Sequence, residues 1–388
     1  MNEDRKKQVL NILNAFKGYQ IFEIEKINFL KNPNEYFHFI KSNLLYSEDS
    51  CLMTLCFGDS GPCLELLKIL CDRKKLNKKT IVILDKNRAN RSKKFFEIVN
   101  DLDINDIFEF FDTDGSIFLP SKINELVSVL HSKIYIFDDL ILFSGANLNE
   151  TYFTNRVDRY IYCKDNFFGN YLRLKYFRKI DTFNKFLTEK KVEGFNNNDT
   201  KTFIIEYEEK DELDILKIIF EEEFENIYLS TAYMNFTKSH FDIFENKNMK
   251  IITSSQKTNT FNDNSMVEKF INDGYTNTLL ETIQRLRKAQ FYEYKKEGYS
   301  FHCKGVWCFT NNMAISIIGS SNFNFRSINR DVETNFLIIT IDENAFIGLQ
   351  NEINTIIKEC NEIFLEDVEK RETSALSRIT NNGAKRFL

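Results

Sequence analysis

The chain has 388 residues, a net charge of −5, 43% hydrophobic and 28% charged residues. At roughly 150 residues per domain this length suggests two domains. The acidic balance excludes a global attraction to nucleic acid or anionic lipid, so nucleic acid is not expected as a partner and any polyanion site must be local.

The N-terminal "MNEDRKKQVLNILNAFKGYQ" carries Glu3 and Asp4, which makes it a poor secretory signal and a weak organelle presequence. No apolar run reaches the roughly 18 residues of a membrane span. "SCLMTLCFG" (50–58) reads as a strand, 63–73 as a helix, "TIVILD" (80–85) as a strand and 92–100 as a helix. Strands alternating with helices predict α/β layers. "FGDSGPCLELL" has two glycines before a helix but lacks the Gly-Lys-Ser/Thr of a nucleotide P-loop, so it reads as a turn. The loop "LDKNRANRSKK" (84–94) follows a strand and holds Arg88 and Arg91. It suits a pyrophosphate or glycerol phosphate, and equally a solvated surface. Eight cysteines, at 51, 56, 63, 71, 163, 303, 308 and 360, form no CxxC pair and read as reduced intracellular thiols.

"HSKIYIFDDLILFSGANLN" (131–149) begins a strand with His131 and Lys133, turns at Asp138-Asp139, and ends its second apolar run in Ser144-Gly145-Ala146-Asn147. Asp158 follows eleven residues after Asn147. Segment 163–187 mixes Phe and Tyr with Arg and Lys, as a membrane interface or a packed helix would. "EGFNNNDT" (193–200) reads as the connector between two domains. In the second half, "NIYLSTAYMNF" (226–236) and "KIITSS" (250–255) are strand-like and residues near 276–290 helical.

The stretch 301–335 then repeats the first motif. His302 and Lys304 open a strand, Gly319-Ser320-Ser321-Asn322 closes the next, and Glu333 follows Asn322 by eleven residues. A step of two along a strand puts each His and Lys on one face. Two of only four histidines thus fall in matching constellations 171 residues apart. Such a set suits a phosphodiester. A neutral imidazole can attack phosphorus, and the second can give and take the proton. Lys133, Lys304, Asn147 and Asn322 can hold the non-bridging oxygens, and Asp158 and Glu333 can each orient a histidine. The set requires no metal or cofactor, and a divalent cation would at most stimulate. Arg326 and Arg330, just after Asn322, are candidates for a phosphate-bearing acceptor or for ion pairs with Asp331 or Glu333.

The paired motif resembles the phospholipase D superfamily, and residues 20–365 are similar to its eukaryotic-type phosphatidylglycerophosphate synthases. The resemblance implies an α/β fold of two phospholipase D-like α/β/α sandwich domains, over 15–192 and 200–365 with a polar tail at 366–388, forming a pseudo-dimer with one shared active site. It implies His131 as nucleophile, His302 as general acid and base, and Ser320 as a further phosphoryl-site residue. It places Asp138 at the motif's aspartate, although strand parity, which sets it opposite His131, argues for a mainly structural role. The first copy departs in reading Ser-Gly-Ala-Asn rather than Gly-Ser-x-Asn, and the second has Phe309 at the aspartate position.

The implied reaction transfers the phosphatidyl group of CDP-diacylglycerol to glycerol 3-phosphate at a membrane surface, peripherally on the mitochondrial inner membrane. A CDP-diacylglycerol–serine transferase, a phospholipase D-type phosphodiesterase and a non-catalytic lipid-binding protein are the alternatives.

Overall fold

The computed structural model describes residues 3–113, 128–177, 202–259 and 266–371; the connector 193–200, segment 178–192 and the tail beyond 371 lie outside them. Its strands are built from β-branched and aromatic runs, the residues that best fill a pleated surface. In chain order they are β1 (Ile21–Ile24), β2 (Ile27–Phe29), β3 (Asp49–Thr54), β4 (Lys79–Asp85), β5 (Phe108–Phe111), β6 (Ile134–Phe137), β7 (Leu140–Ser144), β8 (Arg156–Val157) and β9 (Tyr160–Lys164). The second half supplies β10 (Thr202–Glu208), β11 (Asn226–Ser230), β12 (Lys250–Ser254), β13 (Gln290–Tyr294), β14 (Ser300–Phe301), β15 (Gly305–Phe309), β16 (Ala314–Gly319), β17 (Thr334–Thr340) and β18 (Cys360–Ile363).

Two mixed sheets result, and they share one plan. The first runs β2-β9-β7-β6-β3-β4-β5, and the second contains β10-β17-β16-β15-β11-β12-β13. In both, the last three strands are parallel and all other neighbours antiparallel. The internal repeat read from the His-Lys-Asn spacing is therefore a repeat of the whole sheet.

Alternation along the strands sorts side chains between layers. Ile134 and Ile136 of β6 enter the central core, whereas Tyr135 and Phe137 enter an outer core. Helices Pro33–Tyr46, Pro62–Lys75 and Lys93–Asp101 cover the outer face of the first sheet. Helices Glu3–Ala15, Glu212–Glu221 and Lys238–Phe244 cover that of the second. Between the sheets lie Asn166–Tyr176 and Glu343–Lys358, whose Phe168, Leu172, Leu349 and Ile353 are buried in the central core. The described aromatics of segment 163–187 are thus packed inside rather than laid on a membrane.

Two boundaries differ from the sequence reading. The first domain, placed from residue 15, does not hold its own N-terminus: β1 pairs antiparallel with β10 of the second sheet, and Val9, Ile12, Leu13 and Phe16 join the second half's outer core. Period-based reading places a strand but not the sheet it joins. The polar tail also starts later than 366, because Val368 is buried in the second half's outer core and Arg371 makes a bidentate pair with Glu293 at 2.6 and 2.9 Å.

Arg159 pins the halves together. Its guanidinium donates to Ile317 O at 2.5 Å, Ser316 Oγ at 2.8 Å and both oxygens of Glu352 at 3.1 and 2.7 Å. It lies 3.7 Å from the centre of the Trp307 ring. A bidentate, stacked guanidinium of this kind is rigid in a way that a lysine would not be.

Candidate active site

Each histidine segment is clamped by the opposite half. Leu130 and Val332 form a parallel bridge, in which His131 N donates to Val332 O at 2.9 Å and Val332 N donates to Val129 O at 2.9 Å. The pseudo-symmetric contact is the pairing of β14 with β8, where His302 N donates to Val157 O at 2.9 Å. The residue after each accepting carbonyl is the carboxylate. These bridges therefore set Glu333 against His131 and Asp158 against His302. His131 Nδ1 lies 3.0 Å from both Glu333 oxygens, and His302 Nδ1 lies 2.7 Å from Asp158 Oδ2. The spacing leaves open which carboxylate serves which histidine; the fold crosses them. With both Nδ1 atoms engaged by carboxylates, Nε2 is the nitrogen of each ring that no carboxylate holds; on His302 it meets Tyr152 Oη at 3.1 Å and Lys304 Nζ at 3.3 Å.

The cations lie beside the rings. Lys304 Nζ is 2.8 Å from His302 Nδ1 and 3.7 Å from Asp158 Oδ2. Lys133 Nζ donates to the His131 carbonyl. Both ammoniums are almost wholly buried. Burial, with Lys304 nearby, lowers the pKa of Lys133 to about 7; burial likewise lowers that of Lys304. Burial holds His131 below its ordinary range, against the pull of Glu333. It holds His302 well below, assisted by Lys304 and Arg156. Burial pushes the Glu333 carboxyl up, but His131 and Lys133 outweigh it, leaving Glu333 below the usual carboxylate range. Burial raises Asp158, opposed mainly by Lys304. Burial is thus the leading reason that all four basic groups are held below their ordinary ranges, and a bound phosphate would favour their charged forms.

The asparagines are held in place by their own halves. Thr54 Oγ1 donates to Asn147 Oδ1 at 3.1 Å. Thr231 Oγ1 donates to Asn322 O at 2.9 Å, and Asn322 N donates to Ser327 Oγ at 2.9 Å. Asn322 Oδ1 is buried with no hydrogen-bond partner, the kind of orphan polar atom that a binding site retains.

The swapped order of Ser144-Gly145 costs no bond. Ser144 Oγ donates to Arg159 O at 2.6 Å and Ser320 Oγ donates to Thr334 O at 3.2 Å. Both acceptors are the carbonyl one residue after the orienting carboxylate. Ser320 is fully buried and engaged there, so it supports Glu333 instead of facing a phosphoryl group. Gly145 is obligatory: a Cβ would sit 2.9 Å from Asp158 Oδ1 and 3.0 Å from Gly319 O.

Asp138 is outside the site. It follows the far end of β6 from His131, has φ of 51°, and accepts from Glu48 N at 3.0 Å and Asp49 N at 2.9 Å. It closes the hairpin against β3, a role that its place in the motif hides. Arg326 is held by Asp331 through contacts of 3.1 and 2.9 Å, and the Arg330 guanidinium lies 5.4 Å from the centre of the Phe325 ring. Arg88 and Arg91 line a cavity beside the first half-site.

Sequence reasoning missed Tyr152 and Arg156. Tyr152 Oη is 3.0 and 3.1 Å from the two ring nitrogens of His302, and Arg156 lies 4.9 Å from the centre of the Tyr152 ring. The available signal was the offset: Tyr152 stands five residues after Asn147, where the second half has Ser327 five after Asn322.

No family model matches the chain. Among curated proteins it is similar to the human mitochondrial CDP-diacylglycerol–glycerol-3-phosphate 3-phosphatidyltransferase, 23% identical over 81% of this chain and 74% of that protein. A probable enzyme of the same name from Dictyostelium discoideum is 24% identical over 92% of this chain and 77% of that protein. Among solved structures, phosphatidylserine synthase from Haemophilus influenzae superposes with a TM-score of 0.78 at 16% identity, covering 97% of this chain and 99% of that one. Polyphosphate kinase from Porphyromonas gingivalis reaches a TM-score of 0.53 at 11% identity, covering 94% and 54%.

Proposed function

We propose that this member of the phospholipase D superfamily transfers the phosphatidyl group of CDP-diacylglycerol to glycerol 3-phosphate, giving phosphatidylglycerophosphate and CMP. The observation that carries the reading is the crossed pair of histidine–carboxylate contacts, each made between the two halves, in a chain whose curated relatives bear that activity in their names.

His131 attacks the phosphatidyl phosphorus through Nε2. The P–O bond to CMP breaks as the P–N bond forms, and CMP departs with the electron pair. His302, charged once the donor's pyrophosphate lies beside it, gives its proton to the leaving oxygen and, now neutral, takes the proton of a glycerol 3-phosphate hydroxyl. That oxygen attacks phosphorus, the P–N bond breaks, and His131 is restored. Lys133, Lys304, Asn147 and Asn322 hold the non-bridging oxygens, where such donors are worth about 3–4 kcal/mol each. Two ammoniums supply the charge a metal would bring, so EDTA is expected to leave the rate of transfer largely intact.

The substrate carries two acyl chains, so the enzyme works at a membrane surface. Among the described residues no helix is long and apolar enough to cross one. Peripheral attachment to the mitochondrial inner membrane is the location this reading carries, following the mitochondrial relatives.

The test offers the purified protein CDP-diacylglycerol with glycerol 3-phosphate, serine or water and identifies the lipid product by mass spectrometry. Product only with serine, or only with water, overturns the assignment.

A further inference from the structure

A cavity of about 340 Å³ opens where the parallel strands β3 and β4 end. Crevices at the carboxyl ends of parallel strands are the usual ligand sites of α/β sheets. This one adjoins the catalytic pair on two sides. Cys56 on its wall lies two residues beyond Thr54, whose hydroxyl donates to Asn147 of the half-site. Asn149 and Glu150, also on its wall, begin the short helix whose Tyr152 touches His302.

The lining sorts by chemistry. Arg88 and Arg91 bring two guanidiniums, suited to phosphate oxygens. Phe57 and Phe95, which are core residues, contribute an apolar patch to the lining, compatible with the carbon edge of a heterocycle. Asp59 and Glu150 bring carboxylates, the natural acceptors for the exocyclic amine of cytosine. Each carboxylate is steadied by a serine, Ser92 on Asp59 and Ser60 on Glu150 at 2.6 Å. The volume is that of a nucleotide-sized pocket, far larger than glycerol 3-phosphate needs.

The equivalent place in the second half, where β11 and β12 end, holds a cavity of only about 30 Å³. Polar contacts fill it: Asn259 Nδ2 to Asn272 Oδ1 at 3.0 Å, Gln256 Nε2 to Thr276 Oγ1 at 3.3 Å, and the Arg371–Glu293 pair. The pseudo-symmetry is thus broken, with a pocket kept open on one side.

We propose that the first-half cavity is the cytidine-nucleotide subsite, holding the CMP portion of the donor, with Arg88 and Arg91 on its phosphate and Asp59 or Glu150 on the cytosine amine. The proposal rests on the phosphatidyltransferase reading above and adds where the leaving group sits.

CMP alone is the probe. In the intact wild-type chain, CMP should protect Cys56 from alkylation, read peptide by peptide in a mass spectrometer, and glycerol 3-phosphate should not. Arg88→Gln and Arg91→Gln, with unchanged melting temperature, should each weaken CMP binding by calorimetry roughly tenfold to a hundredfold, as loss of a charge-assisted bond does. The KM for CDP-diacylglycerol should rise while that for glycerol 3-phosphate holds. Protection by glycerol 3-phosphate instead, or no effect of CMP on Cys56, overturns the subsite. A wild-type chain that protects Cys56 with CMP yet forms no phosphatidylglycerophosphate would leave the subsite standing and remove the proposed reaction.

Discussion

Glu333 holds the Nδ1 of His131 at 3.0 Å from 202 residues away, across the seam between the two halves. The contact makes each half-site depend on the other, since Asp158 does the same for His302 from 144 residues away. Neither half carries a complete histidine–carboxylate pair of its own.

Two outcomes follow from that crossing. His131→Ala and His302→Ala should each abolish turnover, because one histidine cannot be both nucleophile and acid–base group. Glu333→Gln removes the group that opposes burial at His131, so the imidazole pKa should fall further, measurable by NMR titration. The rate should drop on the order of 10²- to 10⁴-fold, the usual worth of an acid–base group held in position. An unchanged His131 titration would show that the carboxylate does not act on that ring.

Tyr152 breaks the symmetry of the site. Its hydroxyl reaches His302, while Ser327, its counterpart, accepts from Asn322 N. Tyr152→Phe keeps the ring and its contact with Arg156 and removes only the hydroxyl. A neutral hydrogen bond of about 1 kcal/mol corresponds to a several-fold loss. That loss should appear in kcat with the KM for CDP-diacylglycerol unchanged, since Tyr152 positions a histidine and does not hold the donor.

Asp138 carries a stability prediction. Its carboxylate accepts two backbone N–H groups, and its backbone is left-handed at φ 51°. Asp138→Ala removes the acceptor and puts an ill-suited residue in that conformation. It should cost about 1–3 kcal/mol in thermal or urea unfolding, while kcat per folded molecule stays near wild type. A selective loss of kcat at full stability would return Asp138 to the catalytic set.

The contrast between Asp138 and Glu333 marks what the sequence carries. The His-x-Lys step, the returning asparagine and the carboxylate at a fixed offset are local spacings, and local spacings repeat visibly when a fold is duplicated. The α/β alternation was legible for the same reason. Which carboxylate meets which histidine was not, because parallel bridges join segments more than a hundred residues apart. Nor was the home of β1: "IFEI" has a strand's pattern, and the edge it joins is decided by β10 in the other half. Tyr152 escaped because its partner lies in the second copy.

Lys133 makes the site sensitive to alkaline pH. Its pKa is lowered to about 7, first by burial and then by Lys304, so in the free enzyme the ammonium is lost as pH rises through neutrality. If Lys133 holds a phosphoryl oxygen, kcat/KM for CDP-diacylglycerol should fall above about pH 7, since that ratio reports free-enzyme pKa values. The fall in kcat should come at higher pH, because bound phosphate favours the charged form. Stability runs the other way. The folded pKa lies below the unfolded value of 10.5, so between about pH 7 and 10.5 the unfolded chain binds the proton and the folded one does not. The penalty of burying the charge is complete below pH 7 and is relieved as pH rises through that window. Lys133→Met should therefore be inactive, more stable than wild type at pH 7, and lose part of that advantage by pH 9 in urea unfolding. A wild-type kcat/KM that climbs from pH 7 to 9 would show that the ammonium of Lys133 is not what the donor needs.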